Sequence, residues 1–137
     1  MLRYAFALCL APILAPIAAP GVATAQEADC INQPTQMDMN ICAYQDWQAA
    51  DATLNTVYAD ALATVQASDA EYNRDGDSEE VRLRRAQRAW VAFRDANCDA
   101  AGFQMRGGSA EPLLVNGCLR VMTQDRIAEL QSIATGF

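Results

Sequence analysis

The chain has 137 residues, with 10 basic and 17 acidic side chains, no histidine and a formal net charge of −7. That length suits one domain, and 52% hydrophobic residues support a packed core and argue against a disordered tail. The missing histidine removes the usual general base, metal ligand and near-neutral pH switch. All ten basic residues are arginine, which excludes a Schiff-base or general-base lysine. Composition therefore points to a small, acidic, soluble domain that is not expected to be an enzyme.

Residues 1–25 read as a secretory signal peptide. Arg3 supplies a positive start, Tyr4 to Ala19 an apolar stretch broken by Pro12 and Pro16, and Ala23-Thr24-Ala25 a small-x-small cleavage site. The apolar stretch is too short and too proline-broken for a membrane span, which needs about 20 apolar residues. No later segment is apolar enough to span either. Cys9 would leave with the signal peptide. The domain is then 26–137, with nine arginines against 17 acids and Cys30, Cys42, Cys98 and Cys118. An even cysteine count after a signal peptide reads as two disulfides formed in an oxidising compartment, periplasmic or secreted. A zinc site is excluded by the absence of histidine and of any C-x-x-C pair.

Three helices are expected, in an all-α, small antiparallel bundle with two disulfides at one end. Thr35-Gln36-Met37-Asp38 after Pro34 is a capping-box pattern. From there Met39, Ala43, Trp47, Ala50, Leu54, Val57, Tyr58, Ala61 and Val65 fall on one helical stripe. The pattern fades near Ser68 to Tyr72, and Asn73 to Asp77 forms a turn. The second helix starts at Asp77 or Ser78, with Glu79 and Glu80 in its first turn. Leu83, Ala86, Trp90, Phe93 and Asn97 share a face, and the helix fades near Ala101-Gly102. Phe103 to Gly117 reads as a Gly- and Pro-containing loop. The third helix runs from about Cys118 to Thr135, with Leu119, Met122, Ile127, Leu130 and Ile133 inward and Gly136 ending it. Short connections make the first two helices antiparallel neighbours, with the third returning beside them. Trp47, Leu54, Tyr58, Leu83, Trp90 and Phe93 are the expected core anchors.

An up-down-up course places all four cysteines at one end. Of the three possible connectivities, this geometry favours Cys42–Cys98 with Cys30–Cys118, although Cys42 and Cys98 lie on the flanks of their apolar stripes.

The remaining motifs have structural readings. Glu71-x-Asn73-x-Asp75-Gly76 has the look of a calcium loop, but Arg82 occupies the position that needs a bidentate glutamate, so a helix-joining turn is expected. Arg82, Arg84, Arg85 and Arg88 form a solvated basic face towards the first helix. A nucleic-acid surface is excluded by the acidic charge and expected export. Residues 26–77 carry ten acids and one arginine, while residues 78–137 carry seven acids and eight arginines. The first half is thus strongly acidic, either as a plain solvating surface or as one that attracts a basic partner at long range. Asp51, Asn55 and Tyr58 on the first helix and Gln87 and Arg94 on the second flank the apolar stripes. They are expected to form an inter-helix polar network, Asp51 with Arg94 at its centre. Gly107-Gly108-Ser109 reads first as an ordinary linker; as a flexible loop it suits partner insertion better than nucleophilic catalysis, because Ser109 has no base to activate it.

The order of these features resembles the LprI-like lysozyme-inhibitor family of small exported bacterial domains. The residues that carry the resemblance are Cys30, Thr35, Met39 and Cys42; Ala50-Asp51-x-x-Leu54-Asn55-x-x-Tyr58; Ala86-Gln87-x-x-Trp90-x-x-Phe93-Arg94-Asp95-x-x-Cys98; Gly108-Ser109; and Cys118-Leu119, Thr123, Arg126 and Leu130. Phe93 departs from the tyrosine more often expected there. The resemblance implies a helical, disulfide-linked envelope protein that inhibits lysozyme, with no cofactor and no catalytic residues to carry over. The partner so implied is a lysozyme-type muramidase, an enzyme commonly basic and built around two active-site carboxylates. The alternative is a non-catalytic periplasmic interaction or structural module with no inhibitor activity.

Overall fold

A computed structural model describes residues 28–72 and 76–136, and these are all helix, turn or short irregular backbone. The expected signal peptide and residues 73–75 of the turn lie outside the described residues. Helix α1 spans Gln36–Tyr72, α2 Glu79–Gly102 and α3 Glu111–Ala134, with a single 3-10 turn at Phe103–Met105 between the last two. At a rise of about 1.5 Å per residue, α1 is roughly 55 Å long and the other two roughly 36 Å.

Local chemistry explains the ends. The Thr35 hydroxyl accepts from the Asp38 amide at 3.1 Å and the Asp38 carboxylate accepts from the Thr35 amide at 3.2 Å, a reciprocal cap for α1. Ser78 caps α2 by accepting from the Val81 amide at 3.2 Å. Asp69 of α1 reaches across and accepts from the amides of Glu79 and Glu80 at 2.8 and 3.0 Å. Negative charge is thereby placed against the positive end of the α2 dipole.

Helix α3 starts about two turns earlier than expected. Proline is tolerated in the first turn, where its missing N–H would have had no helical partner, so Glu111-Pro112 opens the helix and does not break it. Gly117 is carried as an ordinary helical position, leaving only Arg106 to Ala110 as the connection.

The bundle runs up, down, up. Asn40 donates to the Ser109 carbonyl at one end, and Thr64 donates to the Ala134 carbonyl at the other, so α1 and α3 are parallel. Helix α2 runs antiparallel to both, with Asp51 opposite Arg94 and Asp69 opposite Glu79. The long α1 packs more extensively on α3 than on α2. The apolar core joins Leu54, Ala61 and Val65 of α1 to Leu83 and Leu130, with Val57, Tyr58, Trp90 and Ile127 packed around them.

Two of the expected anchors, Leu54 and Leu83, are fully buried; Trp47, Tyr58 and Trp90 are half-buried. Phe93 is 60% exposed and does not belong to the core. The inward face of α2 is Leu83, Gln87, Arg94, Cys98 and Gly102. At about 100° per residue, that face is rotated roughly 80° from the apolar stripe read in the sequence. The rotation brings two polar side chains inward and turns Phe93 out.

The disulfides are Cys30–Cys42 and Cys98–Cys118, not the crossed pairs favoured above. The segment before α1 folds back through a turn at Asp29–Gln33, closed by the Gln33 amide on the Asp29 carbonyl at 2.8 Å. Gln33 there takes a left-handed φ of 46°. This sets Cys30 against the second turn of α1, with a Cα–Cα distance of 5.5 Å. The early start of α3 places Cys118 alongside Cys98 of α2, at 5.4 Å. Both bridges sit in the half of the bundle that holds the start of α1 and the α2–α3 connection. Cys42 and Cys98 are both buried, not on the flanks.

Candidate functional site

Two sets of residues could carry function: the polar groups inside the bundle and the surface at the disulfide end. The first centres on Arg94, which is only 6% exposed. Its Nη1 donates to Asp51 Oδ1 at 2.9 Å and to Thr123 Oγ1 at 3.3 Å, and its Nε donates to Asp95 Oδ1 at 2.9 Å. The guanidinium lies over two indoles, 5.1 Å from the Trp90 ring and 5.9 Å from the Trp47 ring. A buried cation needs this combination of charge, hydrogen bonds and aromatic faces to offset its lost hydration. Arg126 approaches Trp90 as well, at 5.8 Å, donating to Gln87 Oε1 at 3.0 Å and to Glu129 at 2.7 Å.

The five polar residues singled out by sequence therefore occupy different positions. Asp51 and Arg94 are in direct contact, and Asn55 donates to Asp51 at 3.4 Å from the same helix. Gln87 is joined to Arg126, one step along on α3. Tyr58 meets Arg84. Thr123, fully buried, ties α3 into the Arg94 contact. Its place in the site was not read from the residues, because a threonine within an apolar helical stripe carries no signal of its own. The Trp47–Arg94–Trp90 arrangement was missed for a related reason: the two tryptophans were read as plain core. Among the described residues, Trp47 Nε1 is the buried side-chain donor with no hydrogen-bond partner.

Chemically this interior is spent on itself. Each charged group has its partner within the bundle, and no group of three or more metal-ligating side chains is present among the described residues. The calcium-like segment falls partly outside those residues, and its Arg82 is exposed on α2.

The basic cluster of α2 is exposed, and two of its four charges are met from α2 and the turn before it. Arg84 pairs with Glu80 at 2.7 Å and Arg85 with Asp77 at 3.2 Å. Arg84's hydrogen bond, followed by one from Gln66, holds the Glu80 carboxyl below its ordinary range.

At the disulfide end, Gly107, Gly108 and Ser109 form an exposed turn held by hydrogen bonds, the Glu111 amide donating to the Gly108 carbonyl at 3.2 Å among them. The Gly107 amide donates to Glu111 Oε2 at 2.7 Å, the Gly108 amide donates to the Met105 carbonyl at 2.8 Å, and the Ser109 carbonyl accepts from Asn40 at 2.8 Å. Gly107 has φ +74°, a left-handed conformation that favours glycine. The expected loop is thus a short fixed turn. Asp29 sits at the same end. Its carboxyl is held below the ordinary range by the Asn32 side chain and by the amides of Asn32 and Ile31.

These features define a small disulfide-pinned helical bundle whose buried polar groups serve its own packing and whose outer surface is left for contact with other molecules. The chain belongs to the family described as Lysozyme inhibitor LprI, which matches residues 27–130. Uncharacterized protein R02472 of Rhizobium meliloti (strain 1021) is 47% identical over 121 residues, 84% of this chain and 85% of that protein. Uncharacterized protein YecT of Escherichia coli (strain K12) is 31% identical over 72 residues, 50% of this chain and 44% of that protein. No solved structure matches the chain. The membership read from the cysteines and the Asp51 and Arg94 motifs is therefore correct, and the family is described by inhibition, not by catalysis. No helix among the described residues is long and apolar enough to cross a membrane.

Proposed function

We propose that the protein is exported and binds a lysozyme-type muramidase, blocking it by docking and not by bond chemistry. The observation that carries this reading is the family match over residues 27–130. Two disulfides agree with an oxidising compartment, periplasmic or secreted. The interior supports docking, because its polar residues Asp51, Arg94, Thr123, Gln87 and Arg126 are already paired with one another. The acidic surface supports a basic partner by steering its approach, which makes the association rate fall as salt rises. Gly107-Gly108-Ser109, fixed at one end of the bundle, is part of the proposed contact.

The test is hydrolysis of cell-wall substrate by several muramidases with residues 26–137, disulfides intact, in stoichiometric excess. Slowed hydrolysis of at least one enzyme is expected. A folded protein that leaves every enzyme's rate unchanged would remove the inhibitor reading and favour the interaction module, which a periplasmic cross-linking experiment would then have to identify.

A further inference from the structure

The two ends of the bundle differ in a way that the order of residues in the chain conceals. The end away from the disulfides carries Arg82, Arg84, Arg85 and Arg88 on the first half of α2, beside the acids of the α1 C-terminal half. The disulfide end has no such cover. Residues 28–45 and 96–120, which include all four bridge cysteines, hold Asp29, Asp38, Asp99 and Glu111 against Arg106 and Arg120. The same end exposes Ile31 at 93%, Met37 at 70%, Phe103 at 60% and Met105 at 50%. Cys30–Cys42, which returns Ile31 to α1, and the Asn40–Ser109 bond, which sets the start of α1 against the turn after Met105, place these residues at one end of the bundle. Arg106 lies over the Phe103 ring at 5.1 Å, so this exposed cation and aromatic ring form one unit.

Exposed aromatic, methionine and arginine side chains at an end that also carries acids have the composition of a binding hot spot. The charge pattern selects the occupant. A muramidase of basic surface with paired carboxylates in its cleft has the opposite pattern: cationic outside, anionic at the centre. Building on the inhibitor reading, we infer that the disulfide end docks over the cleft of a basic muramidase. Arg106 meets the cleft carboxylates, Phe103 and Met105 pack beside it, and the acids of the same end meet the surrounding basic surface. The hydrogen bonds that fix the Gly107–Ser109 turn hold this group ready before contact, which reduces the ordering required on binding.

The test compares wild type, Arg106→Gln, Phe103→Ala and the distant Arg88→Gln. For each, the inhibition constant against a basic muramidase and the melting temperature are measured. All three substituted side chains are exposed, so melting temperatures should match wild type. Arg106→Gln and Phe103→Ala are each expected to weaken inhibition at least tenfold, and Arg88→Gln to change it less than about twofold. Full inhibition by Arg106→Gln and Phe103→Ala would overturn the docking surface while leaving the inhibitor reading intact. A wild-type protein that inhibits no muramidase would overturn the reading beneath it.

Discussion

Replacing Arg94 by methionine tests the interior of the bundle most directly, because it keeps the length of the side chain and removes its charge and donors. Thr123, 0% exposed, loses its Arg94 donor, at about 1 kcal/mol. The Asp51 bond at 2.9 Å is lost too, but that side chain is 36% exposed and regains water, so the loss is discounted to about 1 kcal/mol. The cation over Trp90 adds about 0.5–1 kcal/mol, part of which the methionine sulfur recovers. The total is roughly 2–3 kcal/mol, a fall in melting temperature on the order of 10 °C. Asp51→Asn keeps the shape and should cost about 1 kcal/mol. The double variant should fall short of the sum by about 0.5–1 kcal/mol, because both changes remove one contact. Thermal or urea unfolding followed by circular dichroism reads all three. Strict additivity, or an Arg94→Met protein that melts with wild type, would show that this contact does not hold α1, α2 and α3 together. An Asp51→Asn protein of unchanged stability but lost inhibition would move Asp51 from the structural interior to the functional surface.

Three further outcomes are expected. Cys98→Ser with Cys118→Ser frees a loop of sequence separation 20 and should cost about 3 kcal/mol by loop-closure entropy; Cys30→Ser with Cys42→Ser should leave α2 and α3 joined and expose the segment before α1 to protease, and peptide mapping that found either crossed bridge would refute the pairing. Gly102→Ala and Gly117→Ala should move stability in opposite directions in chemical denaturation: a Cβ at 102 would sit 2.8 Å from Val115 Cγ2 and cost about 1 kcal/mol after its helix-propensity gain, whereas a Cβ at 117 meets nothing within 4 Å and should stabilise by just under about 1 kcal/mol. With no histidine in the chain, stability should be flat between about pH 6 and 8. It should then fall on acidification, because Glu80 and Asp29 have carboxyls lowered from ordinary values of 4.5 and 3.8, so their contribution is present above those values and lost as pH drops through the lowered ones. A melting-temperature step near pH 7 would contradict this.

What the sequence determined by itself was the local chemistry and the class. The Thr35–Asp38 cap, the α1 stripe ending at Tyr72, the Ser78 start and the Gly102 end of α2 are each set within a few residues and could be read there. The even cysteine set and the Asp51 and Arg94 motifs were enough for the family. The start of α3 was misplaced because Glu111-Pro112 followed two glycines, and proline both ends helices and opens them. Tertiary structure decided the rest. The sequence puts Gln87 and Arg94 at the edge of the apolar stripe of α2 and Phe93 within it; that the first two are buried and Phe93 is exposed depends on which partners α1 and α3 present across the gap. The disulfide partners, likewise, are chosen by a backbone fold-back at Gln33 and by the register of α2 against α3. The acidic, apolar end exists only because an antiparallel α2 carries its arginines to the opposite end, and charge order along a chain holds no record of which end of a bundle each charge will reach.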